Sequence, residues 1–384
     1  MRLAMDARVV KKNPSGVGSV VVNLLSRLEL LNKLEITAFT QRGITEIDGL
    51  KKTKIVELDF LYQFVGKERF RFEQNTFQKI IQDCNPDIVH FTDSFGIPPL
   101  LPKSIKTILT LHDLIPMTSY RELMTESDFD LYKKSMASSL RRADRIVCIS
   151  DFTRKDLKKY FPRYVKKSIV IKNGISKPGI GFKSKKNTVL RKYGLSKPYF
   201  LYLGGFPPRK NIINLVKAFI LFNKNNEYQL LLPGRMSDKP DIKKNINKIK
   251  KLIISKDITK SIILTDYVSE QEKVQLLEEA KFFIYPSLYE GFGLPVLEAL
   301  SLGTPVLTSK NTAMEEIGGR GVKYFDPKDI TNIALIMRKS ISNYEKLKED
   351  AFKEKSLVVK DYCWENVANA YYGEYIKLAG VYNG

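Results

Sequence analysis

Residues 145–149 read Arg-Ile-Val-Cys-Ile, a run in which polar and apolar side chains do not alternate. A strand with one face in water alternates, whereas a strand covered on both faces is apolar throughout. Similar short runs rich in aliphatic and β-branched residues recur along the chain, and segments long enough for amphipathic helices follow them. This alternation predicts α/β structure with parallel, doubly wound sheets.

The predicted strands form two groups, separated by a stretch rich in glycine and proline at residues 173–181. The first group is predicted at residues 2–9, 34–40, 54–59, 87–92, 106–112, 145–150 and 167–172, and the second at residues 199–204, 228–233, 261–266, 281–285, 304–308 and 322–325. A chain of 384 residues is also long for one hydrophobic core. We therefore predict two Rossmann-like domains, over residues 1–176 and 190–363, followed by a helix in residues 364–384.

The composition is typical of a globular protein but does not identify a binding partner. Hydrophobic residues make up 43% of the chain and charged residues 28%, which is typical of a globular protein. No apolar run approaches the about 20 residues of a transmembrane helix, and Asp6 interrupts any signal-like start. Three widely spaced cysteines indicate no disulfide framework, so we expect a cytoplasmic protein. The net charge of +22 fits nucleic acid, an anionic membrane, a phosphorylated substrate or a solvated lysine-rich surface.

The stretch at residues 289–300 reads Tyr-Glu-Gly-Phe-Gly-Leu-Pro-Val-Leu-Glu-Ala-Leu and follows a predicted strand. Its two glycines form a loop, and Pro295 is placed where a helix begins. Backbone N–H groups at the positive end of a helix bind phosphate readily. Glu290 and Glu298 would repel phosphates, so we expect these carboxylates to contact hydroxyl groups on either side of a diphosphate.

A second loop at residues 204–212 reads Gly-Gly-Phe-Pro-Pro-Arg-Lys-Asn-Ile and also lies between a strand and a helix. Arg209 and Lys210 are predicted at the helix start, where cations are unfavourable because the helix dipole is positive there. A local rule broken at the carboxyl end of a strand is typical of a functional site. A bound diphosphate would supply the missing negative charge.

Together these stretches resemble glycosyltransferase family 4, whose members are retaining enzymes of GT-B architecture, with two Rossmann-like domains that face each other across a cleft. Glu290 and Glu298 match the Glu-x7-Glu signature inside a Glu-Gly-Phe-Gly-Leu-Pro frame, and residues 205–211 match the family's arginine–lysine loop. Four further landmarks follow the family's order, at residues 15–18, 111–116, 149–153 and 173–175. The resemblance covers the whole chain. It implies that the first domain binds the acceptor, that the second binds the nucleotide sugar, and that the helix in residues 364–384 crosses back onto the first domain.

The resemblance implies a role for each matching residue. His112, Arg209, Lys210 and Glu290 would be catalytic, with the two cations on the diphosphate and His112 facing the donor sugar. Glu298 would bind the ribose hydroxyls, and Tyr267 would border the base. The full set implied to bind the donor is Gly16, Gly18, Gly205, Arg209, Lys210, Tyr267, Val268, Glu290, Phe292, Gly293, Leu294 and Glu298.

The family resemblance implies a nucleotide-diphosphate sugar as co-substrate and no metal or other cofactor. The sequence Asp128-Phe129-Asp130 resembles the Asp-x-Asp of metal-dependent transferases, but it lies in a predicted helix, where the two carboxylates would point apart. We interpret it as surface. Residues 314–316 read Met-Glu-Glu, with glutamate where the family commonly has proline.

The expected activity is transfer of a hexose, mannose or a related sugar, to a saccharide or lipid-linked saccharide in surface polysaccharide synthesis. We expect GDP-mannose as donor and, through the basic residues of segment 133–172, contact with an anionic membrane surface. A nucleotide-sugar epimerase of similar architecture is the alternative. A nucleic-acid partner is not predicted because no recognition motif is found. The missing G-x-G-x-x-G disfavours a nicotinamide dehydrogenase.

Overall fold

The computed structural model describes residues 1–121, 124–176 and 186–380. Its strands lie in two sheets, and every strand pairing recorded within them is parallel. The first sheet contains β1 Arg2–Asp6, β2 Glu35–Thr40, β3 Lys54–Glu57, β4 Ile88–Phe91, β5 Lys106–Leu111, β6 Arg145–Cys148 and β7 Ser168–Val170. The second contains β8 Tyr199–Leu201, β9 Gln229–Pro233, β10 Ile262–Thr265, β11 Phe282–Tyr285, β12 Val306–Ser309 and β13 Val322–Phe325. The α/β prediction with two parallel sheets is confirmed.

Each sheet has the strand order of a doubly wound fold. The seven-stranded sheet runs β3-β2-β1-β4-β5-β6-β7, and the six-stranded sheet runs β10-β9-β8-β11-β12-β13. The order reverses between β1 and β4 in the first sheet and between β8 and β11 in the second. Ligands of such sheets bind outside the carboxyl ends of the strands at these switch points.

Helices cover the sheets because the loops between parallel strands must cross over. They are α1 Val17–Leu30, α2 Lys67–Phe72, α3 Gln78–Cys84, α4 Glu126–Arg142, α5 Asp151–Tyr160, α6 Lys186–Lys192, α7 Ile212–Phe222, α8 Pro240–Ser255, α9 Glu270–Glu279, α10 Leu294–Ser301, α11 Ile330–Ser342, α12 Tyr344–Asp361 and α13 Trp364–Ala379. A π-helical turn, Glu73–Phe77, joins α2 to α3. Local sequence features mark helix starts. For example, Ser269 and Glu272 form a capping box at the start of α9.

The chain divides into two compact units. Of the described residues, unit 1 holds 1–119, 124–176 and 362–380, and unit 2 holds 120–121 and 186–361. The glycine- and proline-rich stretch predicted to separate the domains falls largely on residues 177–185, outside the described residues, as do residues 381–384 at the end of the predicted last helix.

The final helix, α13, packs within unit 1. The Tyr375 hydroxyl lies 2.7 Å from Nδ1 of His90, whose Nε2 lies 2.7 Å from the Thr110 hydroxyl. Burial lowers the pKa of His90 to about 3, so this imidazole is a neutral part of the core. Gly174 belongs to the family landmark at residues 173–175. A Cβ at this position would lie 2.6 Å from the Trp364 ring, which explains the need for glycine.

Several strands end earlier than the sequence predicts. The apolar run from residue 2 to 9 suggests a longer strand, yet β1 ends at Asp6 and the next residues form a buried loop. Likewise β6 ends at Cys148 rather than at residue 150, and β8 ends at Leu201 rather than at residue 204. The residues beyond these strand ends lie in buried loops and are therefore apolar. Their composition predicts a strand although no strand pairing continues there.

Candidate functional site

Three of the residues predicted to bind the donor meet at the switch point of unit 2. Arg209 and Lys210 follow β8, and Glu290 follows β11, which is the neighbour of β8 in the sheet. Their side chains are 18%, 11% and 13% exposed, so all three charges are held close to the interior. Parallel strands place loops distant in sequence at one edge, and this brings together residues 81 positions apart.

The Glu290 carboxylate is the centre of this cluster. Its Oε1 accepts hydrogen bonds from Lys210 Nζ at 2.6 Å, Arg209 Nη1 at 3.0 Å and the Ser287 hydroxyl at 2.5 Å. The Tyr285 hydroxyl lies 3.3 Å from the same oxygen and also accepts from Lys210. Two cations and one carboxylate leave the cluster with a net positive charge, which suits an anionic ligand.

Electrostatics keep this carboxylate ionised. Burial alone raises the pKa of Glu290, but the charges of Lys210 and then Arg209, with hydrogen bonds from Lys210 and Ser287, outweigh burial and lower the pKa to about 2. At neutral pH Glu290 therefore only accepts hydrogen bonds. Such a group can hold donors such as ammonium, guanidinium or sugar hydroxyl groups.

This pKa predicts acid-dependent stability. Because the pKa of Glu290 in the folded state lies below the ordinary glutamate value of 4.5, the stabilisation is complete above that value and is lost as the pH falls toward 2. Between pH 6 and pH 3, wild type should lose about 2 kcal/mol more unfolding free energy than Glu290→Gln. Urea unfolding at the two pH values measures this difference. The exposed control Glu35→Gln should keep the wild-type dependence, and equal slopes for wild type and Glu290→Gln would contradict the prediction.

Backbone contacts hold the two loops of the cluster together. Asn211 donates from Nδ2 to the carbonyls of Pro286 at 3.2 Å and Pro327 at 2.6 Å, and it adopts left-handed backbone angles with φ 63°. The Leu288 N–H donates to the Arg209 carbonyl at 2.8 Å. Contacts within the protein thus fix the cation loop against the loop of Glu290.

The predicted position of the two cations at a helix start needs correction. Arg209 and Lys210 lie in a separate 3₁₀ turn, Pro208–Lys210, and α7 begins only at Ile212 after the left-handed Asn211. The left-handed Asn211 therefore separates the two cations from the first turn of α7. Their charge is already balanced in part by Glu290, a contact 80 residues away that the local pattern did not indicate.

The glycine loop after β11 leads directly into α10. Gly293 precedes the helix with φ 130°, and a Cβ there would lie 2.8 Å from Cδ1 of Ile317, so only glycine fits. No side chain caps the start of α10, and Pro295 occupies its first turn. Phe292 is buried and Leu294 is partly buried beside Gly293. This geometry agrees with a helix start suited to phosphate.

The structure places Glu298 in a second polar group rather than beside Glu290. Lys273 of α9 donates to Glu298 at 2.8 Å and to Glu270 at 2.6 Å. The Tyr267 hydroxyl lies 3.5 Å from Glu270, so this group joins Glu298 to the residues after β10. Tyr267 is 56% exposed and Val268 is buried. Lys273 is not among the residues predicted from the sequence, because a lysine in the middle of a helix resembles a solvated residue until the fold places Glu298 beside it.

The remaining predicted donor residue of unit 2 is Gly205. It follows the β8 loop residue Gly204, and a Cβ on Gly205 would make only ordinary contact, 3.5 Å from Cδ of Pro207. Gly204 is the more constrained of the pair, since its φ is 153° and a Cβ there would lie 2.6 Å from the Tyr202 hydroxyl oxygen. The hydroxyl of Tyr202 donates to the Gly205 carbonyl at 2.6 Å, which fixes the loop.

The predicted site residues of unit 1 lie at the carboxyl edge of its sheet. Gly16 precedes α1 with φ 55°, and Gly18 lies within its first turn, where a Cβ would lie 3.3 Å from the Val9 carbonyl oxygen. His112 directly follows β5. It is buried, and its Nε2 lies 2.7 Å from the Thr92 carbonyl oxygen. The two glycines and His112 therefore reach this edge from different strands, β1 and β5.

The partner of His112 defines the tautomer of its ring. A carbonyl oxygen can only accept, so Nε2 carries the proton and donates it to Thr92. Burial lowers the pKa of His112, with smaller opposing contributions from the Thr92 hydrogen bond and from Asp93 and Asp113. In the neutral ring Nδ1 is then an acceptor, able to receive a hydrogen bond from a hydroxyl group.

A buried ion network beside His112 is absent from the sequence predictions. It contains three carboxylates and two guanidinium groups, each at most 7% exposed: Asp6, Glu73, Asp93, Arg8 and Arg69. Two features of the sequence indicate this ion network in retrospect. One is the presence of charged residues at or just after the ends of apolar strands, and the other is the i,i+4 pair in the stretch Arg-Phe-Arg-Phe-Glu at 69–73.

Two other features bear on the expected partners. Among residues 1–121, 124–176 and 186–380, no group of three or more His, Cys, Asp or Glu side chains is arranged to hold a metal ion. Asp128 and Asp130 lie in α4, where Asp128 pairs with Thr125 and Asp130 with Lys133. Within the same described ranges, no helix combines the length and hydropathy needed to cross a bilayer.

Comparison with known proteins places this geometry in a family. The family model described as "Glycosyl transferases group 1" matches residues 186–355, and that described as "Glycosyltransferase Family 4" matches residues 14–177. O-antigen chain mannosyltransferase B of Escherichia coli is 26% identical over 380 residues, which covers 95% of this chain and 97% of that protein.

A second relative also matches in sequence, and a solved structure matches in fold. The serotype-specific mannosyltransferase WbdA of Escherichia coli is 25% identical over 85% of this chain. The matched region spans only 43% of the length of WbdA. The solved structure of sucrose-phosphate synthase from Thermosynechococcus elongatus matches with a TM-score of 0.79 at 16% identity, over 99% of this chain and 100% of that one. The two matched models, the two parallel sheets and the Glu290 frame agree: the chain is a glycosyltransferase that belongs to family 4 and has the GT-B fold.

Proposed function

We propose that this glycosyltransferase moves a hexose, mannose or a related sugar, from a nucleotide-diphosphate donor to a saccharide or lipid-linked saccharide during surface polysaccharide synthesis, with retention at the anomeric carbon. The cluster of Arg209, Lys210 and Glu290 at the switch point of unit 2 carries this proposal, because it combines cations for a diphosphate with an ionised carboxylate for hydroxyl groups. The names of the two Escherichia coli relatives support mannose, and hence GDP-mannose, as the first donor to test.

The cluster suggests how donor binding begins. Glu290 accepts hydrogen bonds from both cations. Diphosphate oxygens carry more negative charge than one carboxylate and present several acceptors, so they would compete with Glu290 for the guanidinium and ammonium groups. The displaced carboxylate would then be able to accept hydrogen bonds from sugar hydroxyls. In this proposal Glu290 keeps the cations in place until the phosphates replace it.

The same cations would stabilise the leaving group. As the bond between the anomeric carbon and the phosphate oxygen breaks, negative charge grows on the diphosphate, and preformed positive groups lower the energy of that state. For retention, the acceptor hydroxyl attacks from the face that the diphosphate leaves. The acceptor's proton passes to a phosphate oxygen, and the new bond joins the acceptor oxygen to the anomeric carbon. Lys210 and Arg209 hold the diphosphate throughout this step.

Other predicted residues have supporting roles in the proposal. Glu298 would accept hydrogen bonds from the ribose hydroxyls of the nucleotide sugar, and Tyr267 and Val268 would border its base. The backbone at residues 292–294 would donate hydrogen bonds to the same substrate. His112 would accept a hydrogen bond from the donor sugar at Nδ1, since Nε2 is already used. Gly16 and Gly18 would allow a close backbone approach to phosphate. The acceptor would bind unit 1.

A nucleotide panel tests the donor class. A ligand that binds the native state raises its melting temperature, so GDP, UDP, ADP and dTDP should separate by their thermal shifts, with GDP largest. Each matching nucleotide sugar is then incubated with a saccharide acceptor, and NMR of the product reads the anomeric configuration. Retention supports the proposal. Inversion, or isomerisation of the donor sugar without an acceptor, would contradict it.

Replacing Glu298 by Gln should weaken donor binding more than turnover. The amide keeps the shape but loses the charge that Lys273 pairs with and that would accept from two ribose hydroxyls. Because the ribose is remote from the bond that breaks, we expect the donor KM to rise about tenfold with kcat within about threefold. Steady-state kinetics measure both constants. A kcat loss with an unchanged KM would place Glu298 elsewhere in the reaction.

Exposed basic residues of unit 1 support a peripheral membrane role on the cytoplasmic face. Of the thirteen cations in segment 133–172, Arg142 and Lys167 donate to backbone carbonyls and Arg145 pairs with Glu374, so these hold structure. Eight others are exposed: Lys134, Arg141, Arg154, Lys155, Lys158, Lys159, Arg163 and Lys166. Those on α5 recur at i, i+1, i+4 and i+5, which places them on one side of the helix.

Liposome flotation tests this membrane proposal. Each cation near an anionic surface contributes about 1 kcal/mol, so vesicles with anionic lipid should carry the protein at low salt and release it at high salt. Reversal of the α5 charges, with Lys155, Lys158 and Lys159 each changed to Glu, should abolish flotation. The control reverses three exposed lysines of α8 in unit 2: Lys244, Lys248 and Lys251. Equal behaviour of the two triple variants, or no flotation of wild type, would contradict the role of α5.

A further inference from the structure

The buried ions of unit 1 belong to a larger set of contacts at the carboxyl edge of its sheet. We define the carboxyl-edge network as the polar side chains that meet there: Asp6, Arg8, Gln41, Tyr62, Arg69, Glu73 and Asp93. Charges buried this deeply can often be replaced by apolar side chains without loss of stability. Their position at the edge where doubly wound sheets bind ligands therefore calls for a reason other than stability.

The network connects loops that follow five different strands. Gln41, after β2, donates to the Val10 carbonyl after β1 at 2.7 Å and accepts from the Tyr62 N–H after β3 at 3.1 Å. Tyr62 then donates through its hydroxyl to Asp93, after β4, at 2.6 Å. The turn that contains Asp93 contacts His112, after β5. Hydrogen bonds thus run from the first loop to Asp93, and the backbone of residues 92–94 carries the connection on to the imidazole.

Asp93 is the point at which the network holds the turn after β4. Its Oδ2 accepts from Arg69 Nη1 at 2.9 Å as well as from Tyr62. Arg69 also bonds Glu73 at 2.7 Å through Nε, and a Cβ on Gly96 would lie 2.6 Å from Glu73. The turn passes through left-handed angles at Ser94, with φ 32°, a conformation that a residue other than glycine adopts only when its surroundings hold it.

This turn supplies the acceptors that orient His112. The Thr92 carbonyl accepts a hydrogen bond from the ring Nε2–H at 2.7 Å, and the Ser94 hydroxyl accepts one from the His112 backbone N–H at 3.2 Å. Both acceptors lie next to Asp93 in the chain. If the turn relaxed, the ring would lose the contact that selects its tautomer, and Nδ1 would no longer be the only acceptor.

We propose that Asp93, Arg69 and Tyr62 are positioning residues for His112: they hold the turn after β4 in the one conformation in which Thr92 and Ser94 fix the imidazole with Nδ1 as acceptor. They act through His112 and do not touch the substrate. This inference rests on the role given to His112 in the proposed function, and it adds three residues that the family motifs of this sequence do not include.

The first test reads the imidazole directly. The chain has two histidines, so two-bond proton–nitrogen NMR of ¹⁵N-labelled protein resolves both rings. Wild type should show the Nε2–H tautomer for His112, and Asp93→Asn should convert it to a mixture. His90, held by Tyr375 and Thr110, should not change and is the internal control. Unchanged His112 signals in Asp93→Asn would overturn the proposal.

The second test is a double-mutant cycle on turnover. Asp93→Asn should lower kcat ten- to a hundredfold with the donor KM within about twofold, and it should cause no further loss in a His112→Ala background. The matched control is Asp144→Asn, which removes a carboxylate that accepts from Thr107 at the opposite end of β5. That change should leave kcat within about twofold. If Asp93→Asn does not fold, Tyr62→Phe tests the same path with a smaller expected loss, about fivefold.

The outcomes separate the two proposals. An equal loss from Asp93→Asn in both backgrounds would show a purely structural network and overturn the positioning role alone. Full activity of His112→Ala would overturn the role of His112 in the proposed function and the positioning role with it. A loss in His112→Ala combined with no additional loss in the double variant supports both.

Discussion

Replacing Lys210 by Ala is expected to lower kcat by a factor on the order of 10³, which corresponds to about 4 kcal/mol of transition-state stabilisation. Lys210 donates to Glu290 at 2.6 Å, lies with its ammonium 4.8 Å from the centre of the Tyr285 ring and is 11% exposed. A cation in so restricted a place is oriented before the reaction begins. Because leaving-group charge grows only as the glycosidic bond breaks, kcat should fall more than the donor KM rises.

Steady-state kinetics with the donor identified by the nucleotide panel measure this effect, and thermal shift with the nucleoside diphosphate gives an independent readout of binding. Lys217→Ala, an exposed lysine on α7 in the same unit, is the matched control and should retain wild-type kinetics. Lys210→Arg keeps the charge but not the compact geometry, so it should recover only part of the loss. Wild-type turnover in Lys210→Ala would refute the proposed stabilisation of the leaving group.

Replacing Arg69 by Leu is expected to lower the unfolding free energy by about 3–5 kcal/mol, because it leaves the buried carboxylate of Asp93 without a cation and that of Glu73 with Arg8 alone. Arg69 is 1% exposed and pairs with Glu73 at 2.7 Å and Asp93 at 2.9 Å. It also donates to the carbonyls of Gln63 and Phe64. The leucine is similar in apolar bulk but satisfies none of these acceptors.

Urea unfolding followed by circular dichroism measures the change. The control is Arg42→Leu, which breaks the exposed pair between Arg42 and Asp59, whose side chains are 56% and 89% exposed. Exposed ion pairs contribute less than about 1 kcal/mol, so this variant should be close to wild type. If the two variants lose similar stability, the carboxylates beside Arg69 must be satisfied by other means.

The sequence predicted the elements of this site better than their contacts. Every predicted strand is present, and the two loops of unit 2 follow β8 and β11, the neighbouring strands at the switch point. Glycine and proline patterns are local, so they indicate loops such as the one at Gly293 without knowledge of the fold. The prediction that Arg209 and Lys210 begin a helix was wrong because the left-handed Asn211 separates their turn from α7.

Contacts between distant residues account for what the sequence analysis missed. Lys273 joins Glu298 to α9 across 25 residues, and Arg8 meets Glu73 across 65. A charged residue in an isolated stretch looks like solvated surface, and only packing shows that its partner is buried beside it. The early ends of β1 and β8 have the same origin, since buried loop residues and buried strand residues share an apolar composition.

The sequence by itself therefore determined the fold class, the two-sheet architecture and the family, because apolar runs without alternation and glycine-rich turns have local physical causes. Only the tertiary structure decided which charges meet: Glu290 with Arg209 and Lys210, Glu298 with Lys273, and Asp93 with Arg69. Charge pairing depends on distances of a few ångströms and on exclusion of water. Those distances exist only after parallel strands bring their carboxyl ends to one edge.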